Sequence, residues 1–137
     1  MNLIFFDLDG TLLNSASEIS PFTKETLVLL DEKNIAYTVA TGRTMLSAKS
    51  ILKDHDFNLP QVYSNGVTIW DPKSQELTLE HLLGSQEIAT VIDLAISQGI
   101  TPFVHAIDDQ HYFIYHSSPR HKVEEELINT RYFHAKA

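Results

Sequence analysis

Apolar and polar positions along the chain fall into blocks that predict a strand–helix–strand–helix–strand opening. Leu3, Ile4, Phe5 and Phe6 form an unbroken apolar run. That run predicts a short buried strand over Asn2–Leu8, broken by Asp9-Gly10. A polar, serine-rich loop follows from Leu12 to Ile19. Ser20 then reads as a helix N-cap with Pro21 in the first turn. Phe22, Leu27 and Leu30 continue a helical stripe to about Lys33, where Asn34 is a helix stop. Ile35–Thr41 reads as a second buried strand, broken by Gly42. Helical spacing resumes over Thr44–Asp54 through Met45, Ala48, Ile51 and Leu52, and Pro60 opens a third short strand, Gln61–Ser64. This order predicts an α/β fold: part of a doubly wound parallel, Rossmann-like sheet.

The pattern then changes. Val67–Trp70 and Glu76–His81 flank Asp71-Pro72-Lys73-Ser74, which predicts a hairpin. Ser85 reads as the cap of a helix with Ile88, Val91, Ile92 and Ala95 on one face, ended by Gly99. Phe103–Ile107 and His111–Tyr115 predict a second hairpin around Asp108-Asp109. Pro119 opens a last amphipathic helix carrying Val123, Leu127 and Ile128. The organisation shifts near Leu82, so the expected division is a core part with its hairpin over 1–81 and an α+β part over 82–137.

Composition narrows the functional classes. The 137 residues suit about one domain, with 43% hydrophobic and 20% charged residues. Ten basic against eighteen acidic residues leave a net charge of −8, which makes nucleic acid a poor partner. There is no cysteine, hence no disulfide framework, thiolate metal site or thiol nucleophile. No apolar run reaches membrane-spanning length, and Met1–Phe6 is too short for a signal peptide. The expectation is a cytoplasmic protein without a membrane partner.

The strongest chemical signal is Asp7-Leu8-Asp9-Gly10-Thr11 at the end of the first strand. Residues two apart in extended chain project to one face, so Asp7 and Asp9 can share a site at the carboxyl edge of the sheet. Paired carboxylates suit a divalent cation and covalent phosphoryl chemistry, one as nucleophile and the other as acid/base. Gly10 lets the chain turn sharply and Thr11 can brace the turn; the bland alternative is an ordinary Asp-Gly turn. Thr41-Gly42-Arg43 lies at the next strand end, where a hydroxyl, an amide and a helix N-terminus make an anion site. Arg43 can add a charge-assisted phosphate contact, against the plain reading of a capped helix start with a solvated arginine. By the same edge rule Asn65, in Ser64-Asn65-Gly66, reaches the site or simply turns the chain. Of the seven histidines, His105, His111, His116, His121 and His134 crowd the second half without a known ligand motif, which favours hairpin and helix-surface positions. Glu124-Glu125-Glu126 reads as a solvated helix face, and Tyr112, Phe113 and Tyr115 as sheet packing.

Phe6-Asp7-Leu8-Asp9-Gly10-Thr11-Leu12 resembles the first motif of the haloacid dehalogenase superfamily of phosphotransferases, and Val39-Ala40-Thr41-Gly42-Arg43 resembles its second. Ser64-Asn65-Gly66 followed by a hairpin and an inserted cap domain is similar to the Cof-like sugar-phosphatase branch. The resemblance implies that Asp7 attacks phosphorus to form an aspartyl-phosphate. Asp9 would protonate the leaving oxygen and then activate water. It implies Mg²⁺ held by Asp7 and the backbone carbonyl of Asp9, phosphate held by Thr41 and Gly42, and a small phosphorylated metabolite as substrate. The second aspartate favours phosphate esters over haloacids.

The family's later lysine motif and acidic motif have no match here; Lys122 and Lys136 lie in cap-like sequence. The chain therefore reads as the N-terminal part of such a phosphatase. Little or no turnover by this chain alone is the expectation, with self-association through an unpaired sheet edge. The alternatives are a phosphosugar mutase and a non-catalytic fragment that binds phosphate or a partner.

Overall fold

The computed structural model of the chain describes residues 2–108 and 111–130. It divides into two compact units, Met1–Leu82 and Leu83–Ala137.

The first unit begins with β1 (Leu3–Phe6), α1 (Pro21–Glu32), β2 (Ala36–Val39), α2 (Met45–Leu52) and β3 (Gln61–Tyr63). β1 and β2 are parallel, with Leu3 opposite Ala36 and Phe6 opposite Val39. A parallel bridge between Ala40 and Val62 brings β3 alongside β2. The carboxyl ends of three strands thus lie side by side. β3 also opens an antiparallel meander with β4 (Thr68–Asp71) and β5 (Glu76–Leu79).

The helix boundaries follow local chemistry. Ser20 Oγ accepts the Thr23 N–H at 3.1 Å, and Pro21 occupies the first turn, where its missing N–H costs nothing. Just past α1, Asn34 turns left-handed (φ 53°) and the Ile35 N–H reaches back to the Leu30 carbonyl at 2.9 Å. That six-residue reversal is the left-handed stop the sequence anticipates. Thr44 caps α2 by accepting the Ser47 N–H at 3.2 Å.

Leu8, Leu12, Leu27, Val39, Leu52 and Tyr63 are among the side chains of one buried cluster. Three expected core positions depart from it. Phe22 lies at the start of α1 and is 78% exposed, because the buried stripe begins a turn later, at Leu27. β1 is not buried on both faces: Ile4 and Phe6 pack on the cluster, whereas Leu3 and Phe5 are exposed. An unbroken apolar run cannot report which of its alternating faces is covered. Thr38, wholly buried, donates its hydroxyl to the Pro60 carbonyl at 2.8 Å and so ties β2 to the entrance of β3.

The second unit contains α3 (Ser85–Ser97), an antiparallel hairpin of β6 (Val104–Asp108) and β7 (His111–Tyr115), and α4 (Lys122–Thr130). α3 starts one residue earlier than Ser85 suggests. Gly84 is the N-cap, and its N–H donates to the Glu87 carboxylate at 2.8 Å. Gly99 (φ 71°) ends α3 with the Ile100 N–H on the Ala95 carbonyl at 2.9 Å. α4 begins at Lys122 rather than Pro119, with Glu124 accepting the backbone N–H groups of Arg120 and His121. Val91 and Val123 are exposed, while Ile88, Ile92, Leu127 and Ile128 are half-buried. No helix among the described residues is long and apolar enough to cross a membrane.

Candidate active site

The first loop grows directly from β1. Asp7 is still extended (φ −71°, ψ 156°), and its carboxylate accepts the Leu8 N–H at 2.8 Å. The chain then winds tightly: the Leu12 N–H donates to the Asp7 carbonyl at 3.1 Å and the Leu13 N–H to the Leu8 carbonyl at 2.9 Å. Between these anchors Asp9 is non-helical and Gly10 takes φ 75°, a left-handed turn that costs glycine no side-chain clash. Leu8 and Leu12 point into the core. Asp7, Asp9, Gly10 and Thr11 remain exposed. One winding therefore anchors two leucines and leaves both carboxylates at the strand end.

The second loop follows β2. The Thr41 N–H donates to the Val62 carbonyl at 3.0 Å, and the Thr41 hydroxyl accepts the Arg43 N–H at 3.1 Å. The Arg43 guanidinium reaches across to the first loop and grips Asp9 at two points. Nε lies 2.7 Å from one carboxylate oxygen and a terminal nitrogen 2.6 Å from the other. The Arg43 side chain is only 8% exposed, against 46% for Asp9. The hydrogen bonds to Asp9 hold the guanidinium more firmly protonated than usual, against the opposing pull of burial.

The third strand supplies a clamp. Ser64 (φ 51°), Asn65 (φ 55°) and Gly66 (φ 95°) are all left-handed. This reversal turns the Ser64 N–H onto the Arg43 carbonyl at 2.9 Å and the Asn65 N–H onto the Thr41 carbonyl at 3.1 Å. The Asn65 carboxamide lies against Gly42: a Cβ there would stand 3.0 Å from Asn65 Oδ1. Ser64 Oγ is buried with no hydrogen-bond partner among the described residues. The role of Ser64 in the clamp is not visible in the sequence beyond the turn-forming character of Ser-Asn-Gly.

The structure thus joins Thr41, Gly42, Arg43 and Asn65 in one backbone-linked unit and connects it to Asp9 through Arg43. Asp7 stands at the adjoining strand end: the Phe6 carbonyl just before it accepts the Ala40 N–H at 2.9 Å. The cleft beside α2, about 270 Å³ and lined by Met45, Lys49, Phe57, Tyr63 and Trp70, contains none of these residues.

Hard oxygen donors suit Mg²⁺, which retains several waters of its own. The Asp7 carboxylate and the Asp9 carbonyl are donors of that kind, so the loop fits as part of a hydrated site. The Asp9 carboxylate is instead turned to Arg43. Among the described residues no three His, Asp or Glu side chains cluster in a metal-binding arrangement. His105 Nδ1 pairs with the Tyr112 hydroxyl at 2.8 Å, His116 Nδ1 lies 2.8 Å from the Ser117 carbonyl, and His134 falls outside the described residues.

A family model described as haloacid dehalogenase-like hydrolase matches residues 4–136. The chain is 34% identical over 100 residues to a 5-amino-6-(5-phospho-D-ribitylamino)uracil phosphatase of Bacillus subtilis, covering 73% of this chain and 34% of that protein. A solved haloacid dehalogenase-like hydrolase from Bacteroides thetaiotaomicron superposes with a TM-score of 0.74 at 24% identity, over 98% of this chain and 50% of the other. A structure titled as a subclass IIB sugar phosphatase gives 0.73 at 20% identity, over 96% and 50% of the two chains. The chain thus spans about a third of that curated relative and half of those structures.

Proposed function

The chain belongs to the haloacid dehalogenase-like hydrolases, in their Cof-like branch, and from that premise we propose that it carries the nucleophile and phosphate-binding half of a phosphomonoesterase. The observation that supports this reading is the convergence of Asp7-Asp9, Thr41-Gly42-Arg43 and Asn65 at the carboxyl ends of three neighbouring strands. Open α/β sheets bind ligands at that edge.

In this reading an Asp7 carboxylate oxygen attacks phosphorus and the ester oxygen departs, taking a proton from Asp9. Asp9, now a carboxylate, removes a proton from water, which attacks the aspartyl-phosphate and returns Asp7 and inorganic phosphate. The Thr41 hydroxyl and the Gly42 amide hold phosphate oxygens, and the Asn65 carboxamide lies beside Gly42. Asp7 and the Asp9 carbonyl would hold Mg²⁺, which when bound offsets the charge of the transferred phosphoryl group. The substrate class is a small phosphorylated metabolite of sugar-phosphate type, as the names of the relatives suggest.

The test is titration of the ¹⁵N-labelled chain with inorganic phosphate, with and without Mg²⁺, beside an aryl-phosphate hydrolysis assay. Phosphate is expected to shift the amide signals of residues 41, 42 and 65. Any Mg²⁺-dependent hydrolysis is expected to vanish in Asp7→Asn. Phosphate binding elsewhere on the chain, or hydrolysis that survives Asp7→Asn, would overturn the reading.

A further inference from the structure

We propose that Arg43 acts as the positioning residue of Asp9, and that its chief contribution to the site runs through that carboxylate rather than through the phosphate. The inference rests on the reading of Asp9 as the acid/base and concerns its carboxylate form, the one that takes a proton from water; to give a proton as the acid, Asp9 releases one oxygen from the fork. Asp9 and Arg43 are held very differently by their surroundings. Asp9 lies in a non-helical stretch before the left-handed Gly10, and its side chain is half exposed. Arg43 is the opposite case. Its N–H is tied to Thr41 Oγ1, its carbonyl to the Ser64 N–H, and its side chain is almost wholly buried. A guanidinium held along its whole length is a rigid fork, and its contacts of 2.7 and 2.6 Å to both Asp9 oxygens fix the carboxylate plane as well as its position. A lysine offers one point charge and no plane. The pair also joins the second loop to the first across 34 residues of sequence, so the clamp at Ser64 and Asn65 is transmitted to the acid/base.

The experiment follows the Asp9 side chain directly. In the labelled chain, β-proton couplings of Asp9 should report one χ1 rotamer, and the Arg43 Nε–H should exchange slowly with water. Arg43→Lys keeps the charge and removes the fork. It should average the Asp9 rotamers while phosphate affinity, read at residues 41 and 42, stays within about threefold of wild type. Asp9→Ala is the second variant, independent of the first, and should release the Arg43 Nε–H to fast exchange. A single Asp9 rotamer that persists in Arg43→Lys, an Arg43 Nε–H unchanged in Asp9→Ala, or phosphate binding weakened beyond that limit in Arg43→Lys would each overturn the proposal. If phosphate shifts none of residues 41, 42 and 65 in the wild-type chain, the phosphomonoesterase reading fails instead. The rotamer and exchange readouts still decide the pair.

Discussion

Asn65 Oδ1 lies 3.0 Å from the point where a Cβ on Gly42 would stand. The close approach, not an unusual backbone angle, is what demands glycine there. Gly42→Ala should push the Asn65 carboxamide aside. Because the obstacle is the end of a side chain, the stability cost should be only about 1 kcal/mol. Phosphate affinity should fall about five- to tenfold as one contact is displaced. A urea titration beside a phosphate titration separates the two effects.

Ser64 stores strain. Its φ of 51° costs a non-glycine residue about 1–2 kcal/mol, and its buried hydroxyl lacks a partner among the described residues. Glycine removes both penalties and retains the N–H bonded to Arg43, at an unfolded-state entropy cost of about 0.5–1 kcal/mol. Ser64→Gly should therefore stabilise the chain by about 1 kcal/mol, seen as a higher urea midpoint with unchanged slope. A lower midpoint would show that the Ser64 side chain has a stabilising role in the clamp.

Alkaline stability should be set partly by two buried tyrosines. Burial pushes Tyr63 up to about 12, and burial together with a hydrogen bond to Asp31 raises Tyr37 further in the same direction. A phenol whose folded pKa lies above its unfolded value near 10 stabilises fully below pH 10. That contribution is lost as pH rises, because the unfolded chain releases the proton first. Between about pH 10 and 12, Tyr63 should contribute a loss approaching about 1.4 kcal/mol per pH unit. Tyr63→Phe, which also removes the hydrogen bond to Gln61, should lower stability at pH 8 and flatten this alkaline decline. Denaturant unfolding at pH 8, 10 and 11 checks both parts.

Thr44 connects helix capping to the site. Its hydroxyl accepts the Ser47 N–H at 3.2 Å, and the residue is buried directly after Arg43. Thr44→Ala should cost about 1 kcal/mol. Hydrogen exchange should quicken first at the Ser47 amide and then along the first turn of α2. Uniform faster exchange across the whole first unit would show that the cap is not a local device.

The local elements were legible because their causes are local. Ser20-Pro21, Asn34 and Gly99 mark helix ends with groups that act within a few residues, and all three hold in the structure. The apolar blocks around 3–6, 35–41 and 61–64 identify strands by composition alone. Burial was less legible. Phe22, Val91 and Val123 match a helical stripe in spacing yet remain exposed, since periodicity identifies a face and not what covers it.

By itself, the sequence determined the order of strands and helices, the Asp-x-Asp-Gly-Thr and Thr-Gly-Arg motifs, and the left-handed stops that need Asn or Gly. Only the tertiary structure decided that the Arg43 guanidinium lies on Asp9, that Asn65 crowds Gly42, and that Ser64 and Asn65 clamp the second loop through their backbone N–H groups. These contacts join segments about 20 to 34 residues apart, and they exist because parallel pairing sets three strand ends side by side. A one-dimensional pattern encodes which groups are available. Which donor meets which acceptor depends on register and on the direction of a turn, and those are settled only when the strands pair.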